Sequence, residues 1–287
     1  SLLKIDTTEK APDIVVDEII DNLKLKKVES FEKKASIQID TKSKDYKVII
    51  GCNILDYVAI SNNRIVIITN PLIGALYLNE LINHLKKEKN AINYFVIPDG
   101  EEFKNFETVN EIYEFLFSIN FQRNNFIISL GGGVITDITG FVASTFKRGS
   151  RIIHIPTTLL GQVDAAIGGK TGINTVFGKN MLGTFYQPKL VLCDLKKLLT
   201  LPENEFLNGI AEVIKYAVIS SRKLFRILQN EQLSIKNREF QSLFEIVKKC
   251  VLIKSSIIIK DETEEKGIRE MLNFGHTIGH IIETMTG

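Results

Sequence analysis

The chain has 287 residues, of which 44% are apolar and 24% are charged, and its net charge is +2. These proportions are close to the average for soluble globular proteins and provide enough apolar residues for a sizeable core. Acidic and basic residues are interspersed without a basic block, which argues against nucleic acid or a membrane surface as a partner.

The three cysteines, Cys52, Cys193 and Cys250, have the spacing of neither a metal knuckle nor a disulfide framework, so we expect buried free thiols. No run approaches the roughly 18 apolar residues of a membrane span. The N-terminus lacks the pattern of a signal peptide, and we expect a cytoplasmic protein. The first residue is Ser1 rather than Met, which predicts a processed or excised piece.

A helix is predicted over residues 14–25, ahead of a polar stretch. Residues 36–39 and 46–50 flank a polar turn and predict a β-hairpin. Helical patterns at 72–87 and 107–117 then alternate with strand-like runs at 64–69, 94–97, 125–130, 151–155 and 190–193. This rhythm predicts a largely parallel sheet with helices on its faces.

After Pro202 the sequence indicates helices without a strand. We therefore predict three parts: the tail of a preceding domain over residues 1–28, an α/β domain over 29–201 and an α-helical domain over 202–287. A site in the cleft between the last two would be typical of such an arrangement.

Two glycine-rich segments lie in the α/β part. Gly131-Gly132-Gly133 joins a strand to an apolar helix, and free N–H groups at that helix start suit a dinucleotide pyrophosphate, although a simple tight turn has the same pattern. The second segment runs from Gly168 to Asn180. It lacks P-loop spacing, which leaves an anion cradle formed by Lys170 and Lys179, or a solvated loop.

The helical part carries charges within apolar helices. Glu212 and Lys215 are three residues apart on one face, as in a ligating group or a surface ion pair. His276 and His280 are four apart, and spacing alone makes both metal ligands. The absence of HExxH argues against a zinc peptidase. His84 and His154 lack charged companions at useful spacing, and we expect both to be structural.

Together these segments resemble the 3-dehydroquinate synthase family in order and spacing, over about residues 36–287. Each motif is moderately specific, and the ordered set is highly so. The leading segment, residues 1–28, resembles the C-terminal tail of a shikimate kinase, which suggests a fused polypeptide. The matching stretches are residues 98–104, 131–141, 156–159, 162–164, 168–174, 178–180, 211–216 and 273–276.

The resemblance implies an N-terminal Rossmann-like domain that binds NAD and a C-terminal helical domain for metal and substrate. It also implies the reaction, in which 3-deoxy-D-arabino-heptulosonate 7-phosphate becomes 3-dehydroquinate and phosphate in aromatic biosynthesis. In the family, NAD oxidises the C5 alcohol, phosphate leaves by β-elimination, NADH returns the hydride, and an aldol step closes the ring. NAD is thereby regenerated.

By resemblance, a set of residues at the sheet edge lines the NAD site: Asn70, Asp99, Gly100, Glu101, Lys104, Gly131, Gly132, Gly133, Val134, Asp137, Thr157, Thr158, Lys179 and Thr200. Glu212 and His276 correspond to two of three ligands of a divalent metal, zinc or cobalt, which would lower the pKa of the C5 hydroxyl.

The resemblance also implies the substrate contacts. Arg148 corresponds to an arginine that reaches the neighbouring subunit's phosphate site, which implies a homodimer. Elimination that uses the substrate's own phosphate as base would leave the protein to supply geometry. The catalytic residues by resemblance are Lys170, Lys215, Lys254, Glu265, Arg269, Asn273 and His280. All of these except Glu265 also bind substrate, together with Arg148, Asp164 and Asn180.

Three departures from the family pattern stand out. Thr136 replaces a glycine that many relatives carry after the triple-glycine turn. The segment from Asp261 to Lys266 is one residue longer than usual, which affects the placement of Glu265. The family's third zinc ligand comes from a segment beyond His280, and the sequence ends at Gly287 without it.

Three alternatives share some of these motifs. The first is another sugar-phosphate cyclase, such as a 2-deoxy-scyllo-inosose or valiolone synthase. Lys254, Arg269 and Asn273 favour a substrate with a carboxylate and argue against it. The second is a polyol dehydrogenase of the glycerol dehydrogenase type, which would release NADH. The third is an inactive fragment that binds NAD.

Overall fold

A seven-stranded sheet organises the first part of the structure, a computed structural model that describes residues 31–275. Its strand order is β1-β2-β9-β6-β5-β3-β4. The strands are β1 (Ala35–Ile39), β2 (Tyr46–Gly51), β3 (Arg64–Thr69), β4 (Ala91–Val96), β5 (Phe126–Gly131), β6 (Arg151–Pro156) and β9 (Leu190–Asp194).

The sheet confirms the α/β prediction. All pairs are parallel except β1 and β2, which form the predicted antiparallel hairpin with Ile37 opposite Val48. The central strands are nearly continuous runs of Ile, Val and Leu because helices cover both faces. The helices between strands include α1 (Pro71–Ile73), a π-helical turn (Gly74–Leu78), α2 (Asn79–Lys86), α3 (Phe106–Ser118), α4 (Gly133–Thr145) and a second π-helical turn (Gly161–Ala165).

The Gly168–Asn180 segment differs from the predicted loop, because it contains most of a second, two-stranded sheet. Strand β7 (Lys170–Thr175) pairs antiparallel with β8 (Gly178–Phe185). A Cβ atom at Gly183 would lie 2.1 Å from the carbonyl oxygen of Thr171, so the two strands approach too closely there for any side chain. Within the segment, a Cβ atom at Gly172 would lie 3.1 Å from Leu182 O, so glycine there also allows the strands to approach closely.

Only helices follow Pro202 within the described part of the chain, as predicted. They are α5 (Glu203–Ser220), α6 (Arg222–Asn230), α7 (Gln232–Lys236), α8 (Phe240–Lys260) and a 3₁₀ helix (Arg269–Asn273). Helix α8 packs against β1 and β2 through residues such as Ile246 and Val247, in one core with the sheet. Among residues 31–275, no helix is long and apolar enough to cross a membrane.

The three cysteines are free and buried, as expected. The predicted helix over 14–25, the tail over 1–28, and the histidines His276 and His280 lie outside the described residues. The domain boundary near Leu201 stays a prediction.

His154 is a buried titratable group inside the sheet. It lies on β6, 4% exposed, and its Nδ1 is 2.7 Å from the hydroxyl of Ser129 on β5. Burial disfavours the imidazolium and lowers the pKa of His154 to about 3. The unfolded chain takes up a proton near pH 6.5, whereas the folded chain does not until about pH 3. Stability therefore falls as the pH drops below 6.5.

We expect His154→Gln to weaken this pH dependence, because glutamine keeps a polar side chain that does not titrate. Between pH 6.5 and 4.5 the parent should lose about 2–3 kcal/mol through this group, and the variant should not. Urea unfolding at the two pH values measures the difference. His84→Gln, on surface helix α2, is the control. The same pH dependence in parent and His154→Gln would contradict the assignment.

Candidate active site

The triple-glycine turn lies at the carboxyl edge of the parallel sheet. Strand β5 ends at Gly131, and α4 begins at Gly133. A Cβ atom at Gly131 would lie 2.7 Å from Ile135, and one at Gly132 would lie 3.0 Å from Thr158 Cγ2. Among the described residues a Cβ atom at Gly133 would meet only Ala165 Cβ, at an ordinary contact distance of 3.7 Å, so the backbone at Gly133 is less crowded than at the other two glycines.

Thr157 supports ligand binding at this turn. Its backbone N–H donates to Gly131 O at 3.0 Å, which fixes it beside the glycines. Its hydroxyl is buried and has no hydrogen-bond partner within residues 31–275. Buried polar atoms are normally paired, so an unpaired hydroxyl at the start of a helix fits the phosphate groups of a dinucleotide. Thr158 accepts from Gly161 N at 3.0 Å and closes the next turn.

Other predicted NAD residues follow neighbouring strands. Asn70, after β3, caps α1 by accepting from Ile73 N at 3.0 Å, and its amide contacts Asp99, after β4. Gly100 has a φ of +133°, a conformation that favours glycine. Thr200 contacts the hydroxyl of Tyr77. Lys179, on β8, is exposed, and Val134 is half-buried in the first turn of α4.

Lys104 connects the predicted cofactor residues with the β7–β8 hairpin. Its ammonium is buried, 2.6 Å from Asp137 Oδ2 on α4 and 2.6 Å from Asn180 Oδ1 on β8. Glu101 lies 4.0 Å away. Burial raises the pKa of Asp137 to about 6, although the charge of Lys104 opposes the shift. The ion pair thus fixes three separate segments around one cation.

Asp164 connects the α/β part with the helical part. Its Oδ1 accepts from Lys254 Nζ on α8 at 2.6 Å and from the hydroxyl of Tyr216 on α5 at 2.6 Å. Lys254 also donates to Asp164 O at 2.7 Å. Burial alone would raise the pKa of Asp164, but the charges of Lys254 and Lys215 outweigh it and hold the pKa well below its usual range.

Glu212 and Lys215 lie on the same face of α5, as predicted, and their side chains are 10% and 9% exposed. The Lys215 ammonium contacts Glu212 and donates to Leu272 O at 2.5 Å. Burial and the nearby charge of Asp164 raise the pKa of Glu212. The i,i+3 ion pair of the alternative interpretation therefore forms, but its side chains are largely covered rather than at the surface.

The Asp261–Arg269 loop brings further predicted residues to this region. Arg269 is 1% exposed and donates to Gly168 O at 3.1 Å and to Glu262 O at 2.7 Å. Lys170 contacts Glu264, whereas Glu265, which the resemblance implies as catalytic, is exposed. Asn273 is also exposed.

Arg148 lies apart from this group. It is exposed after α4, with a φ of +63°, next to Lys147 with a φ of +48°. Two consecutive non-glycine residues in the left-handed region are uncommon. Among the described residues, no other predicted substrate residue forms a hydrogen bond or ion pair with Arg148, and its role at a neighbouring subunit stays a prediction.

Glu212 is suited to metal binding. Its Oε1 is buried, and within the described range its charge partner is the Lys215 ammonium. Carboxylate oxygen and imidazole nitrogen are common zinc ligands, so Glu212 with His276 fits a divalent metal chemically. Within residues 31–275 no group of three or more metal-binding side chains gathers, and both predicted histidines lie outside that range.

Two contributors were missed by the sequence reasoning. Tyr216 follows Lys215 on α5, and its position inside an apolar, charged helix was an available signal. Glu264 adjoins Glu265, and the only signal for it was the extra residue in the Asp261–Lys266 segment, which leaves open which of the two glutamates matches the family position.

Solved structures of two sugar-phosphate cyclases share this fold. A 2-epi-5-epi-valiolone synthase from Streptomyces hygroscopicus subsp. jinggangensis, solved with NAD+ and Zn2+, is 28% identical with a TM-score of 0.76, over 87% of this chain and 68% of that one. A 2-deoxy-scyllo-inosose synthase, solved with carbaglucose-6-phosphate, NAD+ and Co2+, is 24% identical with a TM-score of 0.78, over 87% and 69%. The fold and site define a protein of the sugar-phosphate cyclase class.

Family models resolve the class further. The model for the N-terminal part of 3-dehydroquinate synthase matches residues 94–208, and the model for the C-terminal part matches residues 209–287. A 3-dehydroquinate synthase from Campylobacter hominis is 46% identical over 250 residues, which cover 87% of this chain and 70% of the relative. The chain belongs to the 3-dehydroquinate synthase family.

Proposed function

We propose that the protein converts 3-deoxy-D-arabino-heptulosonate 7-phosphate to 3-dehydroquinate and phosphate, with NAD and a divalent metal, zinc or cobalt. One observation carries the proposal. A Cβ atom at Gly133, in the glycine turn, would lie 3.7 Å from Ala165 Cβ, and the adjoining Asp164 accepts hydrogen bonds from Lys254 and Tyr216 of the helical part. A nicotinamide at the turn and a metal at Glu212 would therefore serve one substrate.

The residues divide into three groups by task. Thr157, the glycine turn and the Lys104–Asp137 pair would hold NAD, and Glu212 with His276 would hold the metal. When bound, NAD supplies a reversible hydride acceptor and the metal lowers the pKa of a substrate hydroxyl. The cations Lys170, Lys215, Lys254 and Arg269 would bind the phosphate and carboxylate, with Asn180, Asn273 and His280 as polar contacts.

The remaining role of the protein is to orient the substrate. Buried, paired cations are held in fixed positions, and a site that positions the reacting groups lowers the barrier without supplying its own base. Asp164 keeps Lys254 charged and in place through two hydrogen bonds. Elimination that uses the substrate's phosphate as base agrees with this arrangement.

Partners and location also belong to the proposal. A homodimer would let the exposed Arg148 reach the neighbouring subunit's site. The β7–β8 hairpin would suit such an interface, because Val176 is 96% exposed and Phe177 is 87% exposed. The molar mass in solution tests this. Fusion to a shikimate kinase rests on the resemblance of residues 1–28 alone, and a cytoplasmic location rests on the biosynthetic role of the family.

Phosphate release tests the reaction directly. We expect the full-length polypeptide to release one phosphate per heptulosonate phosphate with catalytic NAD and zinc, without accumulating NADH. Removal of metal by a chelator should abolish release, and added zinc or cobalt should restore it. Glucose 6-phosphate and glycerol are the control substrates. NADH accumulation from glycerol, with no phosphate release from the heptulosonate, would contradict the proposal.

A further inference from the structure

The loop between α8 and the last 3₁₀ helix is fixed by one carboxylate. Asp261 Oδ1 accepts from Lys266 N at 3.1 Å, while Oδ2 accepts from Ile268 N at 2.9 Å and from Arg269 N at 3.1 Å. Three backbone donors on a single buried side chain give the loop one conformation. The backbone positions of the loop's side chains are therefore fixed.

Glu264 has an unusual backbone conformation within this loop. Its φ is +62°, in the left-handed region that a non-glycine residue seldom adopts. Such strain persists only where the surrounding structure imposes it, and it is most frequent at functional sites. Here it accompanies a side chain that contacts Lys170 on β7 and lies beside Arg269.

Arg269 and Glu264 do not form a hydrogen bond at this contact. Arg269 uses its two Nη groups on carbonyl oxygens, which leaves its Nε, 3.7 Å from Glu264 Oε1 and too distant for a hydrogen bond. In the described part of the chain, Arg269 Nε is buried without a hydrogen-bond partner, whereas Glu264 Oε1 is buried in its contact with the Lys170 ammonium. A single carboxylate oxygen thus lies between two cations, paired with Lys170 and too distant from Arg269 Nε for a hydrogen bond.

We propose that Glu264 is an internal counter-anion, which occupies the position of a substrate anionic group between Lys170 and Arg269 until the substrate displaces it. The proposal rests on the proposed function only in taking that group to be the phosphate or carboxylate of the substrate. Glu264 keeps the two cations neutralised in the free protein, so simple anions are held weakly. Its return would then help to expel an anionic product.

This role makes a prediction opposite to that of a catalytic acid or base. A catalytic carboxylate would lower kcat when replaced, whereas removing a competitor strengthens anion binding. Lys170 is 48% exposed at its side chain, and partly exposed ion pairs contribute up to about 1 kcal/mol, equivalent to about fivefold in affinity. We therefore expect Glu264→Gln to bind inorganic phosphate about fivefold more tightly than the parent does.

Titration with inorganic phosphate, followed by phosphorus NMR, measures this without turnover, and carbon NMR with acetate tests a carboxylate in the same way. Whichever anion gains affinity identifies the group that Glu264 replaces. Lys170→Ala in the Glu264→Gln background should remove the gain. Glu270→Gln, an exposed charge-matched control in the following helix, should bind like the parent.

Unchanged or weaker binding of both anions by Glu264→Gln would overturn the proposal. A gain in anion affinity in Glu265→Gln instead of Glu264→Gln would also overturn it. The turnover assay separates this result from the proposed function. Failure of the parent to release phosphate from the heptulosonate counts against the reaction, while the anion titration still decides the role of Glu264. In an active enzyme, Glu264→Gln should lower KM for the substrate and retain most of kcat.

Discussion

Replacement of Gly209 by alanine is expected to lower the free energy of unfolding by about 2 kcal/mol and to reduce phosphate release by at least about tenfold. Gly209 lies in α5, three residues before Glu212. A Cβ atom there would lie 2.5 Å from Leu159 Cβ and 2.8 Å from Leu160 N, in the segment that follows β6. Neither neighbour is the free end of a flexible side chain, so the helix itself must move.

The expected loss of stability distinguishes tertiary packing from helix propensity. Alanine is a better helix former than glycine by about 1 kcal/mol, so an isolated helix would gain stability from the change. Asn208→Ala, on the exposed side of the same helix, is the matched control and should stabilise or have no effect. Urea unfolding and phosphate release report on packing and on the placement of Glu212 and Lys215. A Gly209→Ala variant with parental stability and activity would disprove close contact between the two parts.

We expect the second large effect from Lys254→Met. The variant should lose about 3 kcal/mol in unfolding free energy at pH 7 and show no measurable phosphate release. Methionine preserves the length of the side chain but leaves the partly buried Asp164 without its two hydrogen bonds from the ammonium. Burial would then raise the pKa of Asp164, which the cation now holds down. The destabilisation should therefore be smaller in acid, where Asp164 can take up a proton.

A double-mutant cycle separates stability from catalysis at this pair. Adding Asp164→Asn to Lys254→Met removes the unpaired charge, and we expect part of the stability to return while phosphate release stays absent. Lys260→Met, at the exposed end of α8, is the control for loss of a lysine from the same helix. Equal losses at Lys254 and Lys260 would contradict a special role for the buried pair.

The parallel sheet was predictable because its signal is local. Strands such as β3 and β5 are unbroken apolar runs bounded by turn residues, and each lies within a residue or so of its predicted range. The β7–β8 hairpin was not predictable in the same way. Its strands contain glycines at close contacts, as at Gly183, and exposed apolar residues, so neither composition nor alternation marks them.

The candidate site shows the same contrast between local and long-range signals in the sequence. Glu212 and Lys215 were identified from their spacing on one helix, whereas the pairing of Lys104 with Asp137 and of Asp164 with Lys254 joins residues far apart in the chain. Only tertiary structure brings such partners together. The neighbours Glu264 and Glu265 show the limit: backbone conformation decides which carboxylate faces Lys170, and no periodicity in a loop predicts a φ of +62°.

The order of the sheet has a consequence for how the protein is made. The N-terminal hairpin docks on β9, with Ile50 beside Cys193, so strand β2 has no parallel neighbour until nearly the whole α/β part has been synthesised. Strands β3 to β6 can assemble as they emerge, whereas the edge of β2 stays unpaired until β9 is made. During translation the unpaired edge of β2 is open to pairing with another chain, and a chaperone that covers it would favour a high yield of folded protein.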